Sequence, residues 1–180
     1  MKSVCLLIFL SGVFLEVQAK PPSRAAVISC LSAKSISAAT RWTLLPDEKI
    51  YSEPDYMDGF NAIYYIKSGS KAIGYAERGQ IKAILYGNQL FPLDKAQPLS
   101  GFAPTPTELD PFVAEWSVVT DRGTNFLCIS FPYGDLGLSG SFQKNRSAYL
   151  LAMGKARTPR TLYSATGNLD ALVTHRDKHR

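Results

Sequence analysis

The sequence predicts an all-β fold with minor α-helix: a single compact antiparallel β-sandwich or open barrel with one disulfide. Short segments rich in Ile, Tyr and Phe recur about every 8–12 residues, and turn-forming residues separate them. A length of 180 residues suits one domain. Hydrophobic residues make up 46% of the chain and charged residues 19%, a balance that excludes disordered, collagen-like and coiled-coil chains.

Residues 1–19 have the features of a cleaved secretory signal peptide. Lys2 precedes an apolar run from Val4 to Leu15, and Val17-Gln18-Ala19 ends the segment like a signal-peptidase site. The run is shorter than the ~20 residues that a bilayer-spanning helix needs. An uncleaved anchor is the alternative. We therefore expect a periplasmic or secreted protein, with residues 20–180 forming one β-rich domain that ends in a basic tail.

The cysteines of the exported chain predict a disulfide. Cys5 lies in the signal segment, which leaves Cys30 and Cys128 as an even pair in an oxidising compartment. Two separate buried thiols are the alternative. A catalytic cysteine is disfavoured, because a thiolate nucleophile needs a basic partner and both His residues lie in the last six positions of the chain.

The segment before the first strands is ambiguous. Within Ser23–Lys34, Ala25, Ala26 and Leu31 favour a helix that opens at Ser23, whereas Ala26-Val27-Ile28 favours a strand. We expect a short helix or an irregular strand that Cys30 ties to the rest of the domain.

Residues 60–93 give the clearest strand pattern. Four apolar segments alternate with the turns Ser68–Ser70, Arg78-Gly79 and Gly87-Asn88, which predicts a four-stranded antiparallel meander. A second hairpin is predicted over 113–131, with Asp121-Arg122-Gly123 as a three-residue loop.

The last part of the chain is also predicted as short paired strands. The segments are 139–143, 147–153, 160–166 and 169–175, and Gly167-Asn168 separates the last two. The apolar run Phe126–Ile129 predicts a strand buried on both faces in the middle of the sandwich or barrel.

Two loops are candidates for partner binding. The loop Pro92–Pro111 contains five prolines and is stiff and unusually long, so we select Ser100, Gly101 and Phe102 at its centre, with Phe102 as an aromatic anchor. The alternative is that Phe102 folds back and caps the core under a crossover between sheets. The second loop, Pro132–Gly140, offers Tyr133 and Asp135 to a partner, or it is only a tight connection between strands.

Charge is distributed unevenly along the chain. The acidic stretch from Asp47 to Asp58 matches no calcium-binding loop, so we interpret it as a solvated loop. Basic residues concentrate in 141–180 and suit weak contact with an anionic membrane surface. Nucleic acid is not expected as a partner, because no nucleic-acid-binding motif is recognised. Asn145-Arg146-Ser147 is a glycosylation sequon only in a eukaryotic host.

The tail position of both histidines and the lack of a G-x-S-x-G motif favour a binding protein over an enzyme. A Ser-His-Asp or zinc site would require a tail histidine, His175 or His179, to fold back, and no G-x-S-x-G occurs. We expect no metal or cofactor. The leading hypothesis is an exported inhibitor or immunity protein that blocks an envelope-targeting enzyme by loop insertion. A β module for carbohydrate or a small ligand is the first alternative, and a small secreted hydrolase using carboxylates is the second.

Overall fold

The architecture is a β-sandwich with short helices on the outer face of its larger sheet. The computed structural model describes residues 20–46, 52–68, 71–105, 108–133, 144–154 and 160–174. Within these ranges two antiparallel-dominated sheets pack together, and the sheets do not close into a barrel. The predicted all-β sandwich with minor helix is confirmed.

The larger sheet has six strands in the order β1-β8-β9-β10-β11-β7. Every neighbouring pair is antiparallel except β11 and β7, which are parallel. The strands are β1 (Thr40–Leu44), β7 (Gln97–Pro98), β8 (Glu115–Asp121), β9 (Thr124–Pro132), β10 (Asn145–Ala152) and β11 (Leu162–Asn168).

The smaller sheet is an antiparallel meander of five strands in sequence order. They are β2 (Glu53–Met57), β3 (Phe60–Ser68), β4 (Lys71–Arg78), β5 (Ile81–Tyr86) and β6 (Gln89–Pro92). The predicted meander over 60–93 is therefore confirmed, with β2 added at its edge. A short 3-10 helix, Leu93–Lys95, follows β6.

The predicted hairpin over 113–131 is also confirmed, with a shorter turn. Asp121 pairs with Thr124, so Asp121 ends β8 and only Arg122 and Gly123 form the loop. Both loop residues have positive φ, 50° and 81°, as a type I′ turn requires.

Strand β9 is buried on both faces, as Phe126–Ile129 predicted. Leu127 and Ile129 face the core between the two sheets, whereas Phe126 and Cys128 face a second core under helix α1 (Arg24–Leu31). This alternation follows from the two-residue side-chain period of a strand. The six-stranded sheet is thus the middle layer of the domain.

The ambiguous segment after residue 20 folds as helix α1. The Ser23 Oγ accepts a hydrogen bond from the Ala26 N–H at 3.2 Å, which caps the first turn. At the other end Ala33 adopts φ 51°, and its N–H donates to the Cys30 carbonyl. The disulfide between Cys30 and Cys128 is present and fastens α1 to the middle of β9.

The predicted strand over 169–175 is wrong. Residues Leu169–Thr174 form helix α2, because the Asn168 side chain accepts from the Asp170 and Ala171 N–H groups and so caps a helical turn. Leu169 and Leu172 then share one face and pack against the core under α1. The predicted strand over 139–143 lies outside the described residues.

None of the helices within the described ranges has the length and apolar character needed to cross a bilayer.

Candidate functional site

The centre of the proline-rich loop lies along the edge of the larger sheet. The Leu99 N–H donates to the Ser164 carbonyl, and Ala103 bridges Thr166, so both ends of the Ser100–Phe102 segment are fixed to β11. Phe102 is half-buried against the core under α1, and the Arg24 guanidinium lies 5.2 Å from its ring centroid. The structure thus shows the alternative conformation of Phe102, folded back on the core.

The other predicted partner-binding residues do not cluster with Phe102. Ser100 and Gly101 are exposed beside Arg24. Tyr133 is 45% exposed and follows β9, so β10 and β11 lie between it and the proline-rich edge. Tyr133 lines a cavity with Phe131, on the face of the sheet opposite α1. Asp135 lies outside the described residues.

The end of the same loop and the residues that follow it line a cavity with Tyr133. Val113 and Tyr133 both line an open cavity of about 350 Å³. Phe112 and Val113 are 56% and 60% exposed. We call Phe112, Val113 and Tyr133, with this cavity, the Phe112 surface. The remaining cavity residues are Lys82, Glu108, Leu109, Asp110, Phe131 and Pro132.

The turn that presents Phe112 is held firmly by its neighbours. Leu109 is buried in the core between the sheets, and the Trp116 Nε1–H donates to the Pro111 carbonyl at 3.0 Å. The Phe112 N–H donates to Asp110 Oδ1 at 2.9 Å. The backbone that leads into Phe112 is therefore held by contacts within the domain.

Aromatic stacking extends from Phe112 into the core. The Phe112 and Tyr64 rings form a T-shaped pair, with a centroid distance of 6.0 Å and an interplanar angle of 89°. Tyr64 in turn stacks on Trp116 at 5.0 Å. Such pairs contribute about 0.5–1.5 kcal/mol beyond their buried area. Phe112 is thus oriented by a rigid support and still exposes more than half of its surface.

An ion pair fixes the strand ends beside Tyr133. Arg146 Nη2 lies 2.8 Å from Glu115 Oε2 and 2.6 Å from Ser130 Oγ, so it joins β8, β9 and β10. The Tyr133 N–H donates to the Asn145 carbonyl at 2.9 Å. The position of Tyr133 is therefore set by the sheet.

The lining of the cavity combines apolar and charged residues. Glu108 and Asp110 both line the cavity, together with one lysine, Lys82. Two carboxylates in one cavity are a feature that the hydrolase alternative requires, but Asp110 already accepts the Phe112 N–H. Across the described ranges, no three or more His, Cys, Asp and Glu side chains are grouped to hold a metal ion.

The tyrosines with shifted pKa values belong to the core. Burial, followed by the Glu77 and Asp110 carboxylates, raises the pKa of Tyr75 to about 12. Burial also raises the pKa of Tyr149, and the charge of Tyr75 adds to the effect. Both side chains lie between the two sheets.

Phe112 was not predicted from the sequence, although an apolar pair directly after Asp110-Pro111 in a polar loop was a usable signal. Comparison of the chain with family models, curated proteins and solved structures finds no match.

Proposed function

We propose that this chain is an exported, non-enzymatic protein-binding domain that inhibits an enzyme acting on the cell envelope, and that it binds through the Phe112 surface. The observation that carries the proposal is that Phe112 and Val113 are 56% and 60% exposed on a turn whose backbone is fixed. Neighbouring exposed apolar residues with a polar rim are typical of interaction sites.

The rigid turn favours a protein partner. A large aromatic side chain that enters a partner's pocket is a common source of binding energy, and a preordered segment loses less entropy on binding. Phe112 has both properties, because Tyr64 supports its ring and Asp110 fixes its backbone. The centre of the loop is less suitable, since Phe102 is already half-buried against α1.

The charges around Phe112 indicate the partner's chemistry. Glu108 and Asp110 give the cavity an acidic rim, which complements a cleft with an apolar pocket and basic edges. Enzymes that cleave anionic envelope polymers need basic clefts to attract their substrates. Such an enzyme is the partner that we propose, and Phe112 would occupy its cleft.

Export is the second part of the proposal. The Cys30–Cys128 disulfide is typical of proteins that fold in an oxidising compartment. Residues 1–19 carry the sequence features of a signal peptide. A periplasmic or secreted location would bring the chain to enzymes that act on the envelope.

The test is inhibition of a panel of envelope hydrolases from the host and from competing bacteria. The wild-type chain, produced through its own signal segment, should inhibit at least one enzyme with a Kd of about 1 μM or lower. The double variant Phe112→Ala/Val113→Ala should weaken binding at least ~30-fold without lowering Tm by more than about 2 °C.

Leu44→Ala is the matched control. Leu44 is 56% exposed, like Phe112, but it lies on β1 of the larger sheet. The control should change affinity less than about twofold. Full inhibition by the double variant would reject the Phe112 surface, and a wild-type chain that inhibits no enzyme in the panel would reject the inhibitor function. Tyr133→Ala and Ser100→Arg separately test one selected position in each of the two loops predicted from the sequence.

The cavity supports a second candidate function, binding of a small carbohydrate. Its volume of about 350 Å³ is within the range of ligand sites, and Tyr133 and Glu108 supply an aromatic face and an acceptor. Titration with envelope glycan fragments tests this function, and product formation from the same fragments tests the hydrolase alternative. If Glu108→Gln abolishes binding of the glycan fragments and Phe112→Ala leaves it unchanged, the result would favour carbohydrate over a protein as the ligand.

A further inference from the structure

A buried carboxylate beside helix α1 lacks part of its hydrogen bonding. Asp121, at the end of β8, is only 6% exposed. Its Oδ2 accepts the Ser23 N–H at 2.9 Å, whereas its buried Oδ1 has no hydrogen-bond partner. An unpartnered carboxylate oxygen away from water is costly, so the site favours the arrival of a charged donor.

A cavity beside Asp121 contains the residue that follows the predicted cleavage point. The cavity has a volume of about 230 Å³ and is lined by Lys20, Pro21, Ser23, Asp121, Arg122, Thr124 and Phe126. Lys20 is three residues before the Ser23 that already binds Asp121. Three residues span at most ~11 Å. The Lys20 backbone therefore lies within about that distance of Ser23, the residue that binds the Asp121 carboxylate.

We propose that Asp121 binds the α-ammonium group of Lys20 after the chain is cut between Ala19 and Lys20; this inference rests on the export in the proposed function. A host signal peptidase hydrolyses this peptide bond with one water, leaving a carboxylate on Ala19 and an ammonium on Lys20. Before the cut the Lys20 nitrogen is a neutral amide. Afterwards it carries a positive charge and three N–H donors.

The local sequence helps to place this ammonium. Pro21 and Pro22 restrict the backbone between Lys20 and Ser23, and Pro22 is buried. The path from α1 to Lys20 is therefore stiff, and little entropy is lost when the ammonium is fixed. The start of α1 carries partial positive charge, so the ammonium needs the negative charge of the Asp121 carboxylate, which already accepts the Ser23 N–H there.

Two other cations line the cavity and must be distinguished from the α-ammonium. They are the side chains of Lys20 and Arg122, and neither forms an ion pair with Asp121 in the structure. Both residues are exposed. The backbone ammonium differs from them because cleavage creates it. Processing would thus complete the site, and the unprocessed chain would be the less stable form.

The experiment compares four chains, each expressed with residues 1–19 through an export-competent host. They are wild type, Asp121→Asn, a chain with one Gly inserted between Ala19 and Lys20, and the combination of both changes. The insertion keeps the ammonium but moves it by one residue. We expect the insertion to raise the unfolding equilibrium constant about tenfold in the wild-type background and less than twofold with Asp121→Asn.

Lys20→Gln is the control for the side chain. It removes Nζ and keeps the α-ammonium, so it should change the unfolding constant less than about twofold. If Lys20→Gln lowers stability and the insertion does not, the proposal is overturned, because the side chain would then be the group that binds Asp121. Equal effects of the insertion in both backgrounds would also overturn it, because the ammonium would then not act through Asp121.

A second readout needs no core substitution. The α-nitrogen of Lys20 in the folded wild-type chain should react with an amine reagent about tenfold more slowly than in urea, as measured by mass spectrometry of the N-terminal peptide. Equal rates would overturn the pairing with Asp121. The intact mass separates the two proposals: a chain that begins elsewhere rejects the cleavage site, whereas a chain that begins at Lys20 but reacts fast rejects only the pairing.

Discussion

The disulfide should supply a large part of the stability of this domain. Cys30 and Cys128 are 98 residues apart in sequence, so the bond closes a long loop in the unfolded chain. The chain-entropy model assigns about 4.7 kcal/mol at 25 °C to a loop of this size. Because folded domains are stable by only about 5–15 kcal/mol, removal of the bond should cost at least about 30% of the total.

The folded structure should survive this loss. Both sulfur atoms belong to a fully buried cluster in which Ala26, Val27 and Leu31 hold α1 against the six-stranded sheet. These contacts do not need the covalent bond. The variant Cys30→Ala/Cys128→Ala should therefore keep near-native circular dichroism while its unfolding midpoint falls by about 2 M urea, for an m-value of about 2 kcal/mol/M.

Urea unfolding of three samples measures the effect. They are the oxidised wild type, the reduced wild type and the double alanine variant. The reduced protein retains both sulfur atoms, so its difference from the oxidised form isolates the cross-link from the loss of packing. A decrease of less than about 1.5 kcal/mol in the free energy of unfolding on reduction would contradict stabilisation by loop closure.

Three further predictions concern the backbone and the core. Ala33→Gly should raise the free energy of unfolding by about 0.5–1 kcal/mol in urea, because Ala33 adopts φ 51° at the end of α1, and an unchanged midpoint would contradict this. Gly74→Ala should lower the free energy of unfolding in urea by more than about 2 kcal/mol, because a Cβ there would overlap the Tyr64 carbonyl. An unchanged urea midpoint would contradict that overlap. Since burial raises the pKa of Tyr75 from 10.0 to about 12, the stability that its protonated form contributes is complete below pH 10 and is lost as pH rises through 12; burial also raises the pKa of Tyr149, so its contribution likewise starts to fall above pH 10. Phenolate absorbance and urea midpoints measured across this range check the last prediction, and Tyr149→Phe should flatten the loss.

Local patterns predicted much of the fold because they determine local structure. The meander of β3 to β6 follows from alternating apolar residues and turn residues, and both signals lie within a few positions of each other. The position of Cys128 within a doubly buried strand was also visible, since Phe126–Ile129 is apolar on both faces. Helix α2 was missed because its six residues also suit a strand, and the cap from Asn168 decided between them.

The candidate site depended on contacts that are distant in sequence. Phe102 lies at the centre of the proline-rich loop, and Phe112 directly follows Pro111, its last residue. Phe102 turns inward because Ala103 pairs with Thr166, and Phe112 stays exposed because Trp116 holds the preceding carbonyl. The Ala103 pairing joins residues more than sixty positions apart, so periodicity could not identify it.

The layers of the domain restrict where it can bind a partner. Both faces of the central six-stranded sheet are covered, one by the second sheet and one by α1 with α2, so neither face of this sheet is open to a partner. Five large apolar residues are exposed in the part of the chain that the structure describes: Leu44, Ile81, Phe112, Val113 and Tyr133. Phe112 and Val113 are neighbours, and Val113 shares its cavity with Tyr133.

The Asp121 cavity lies instead where β8 ends at its turn, beside the start of α1. Since β8 begins at Glu115, just after Val113, and ends at Asp121, the two sites lie near opposite ends of one strand. Changes at one should therefore leave the other intact, which allows each proposal to be tested alone.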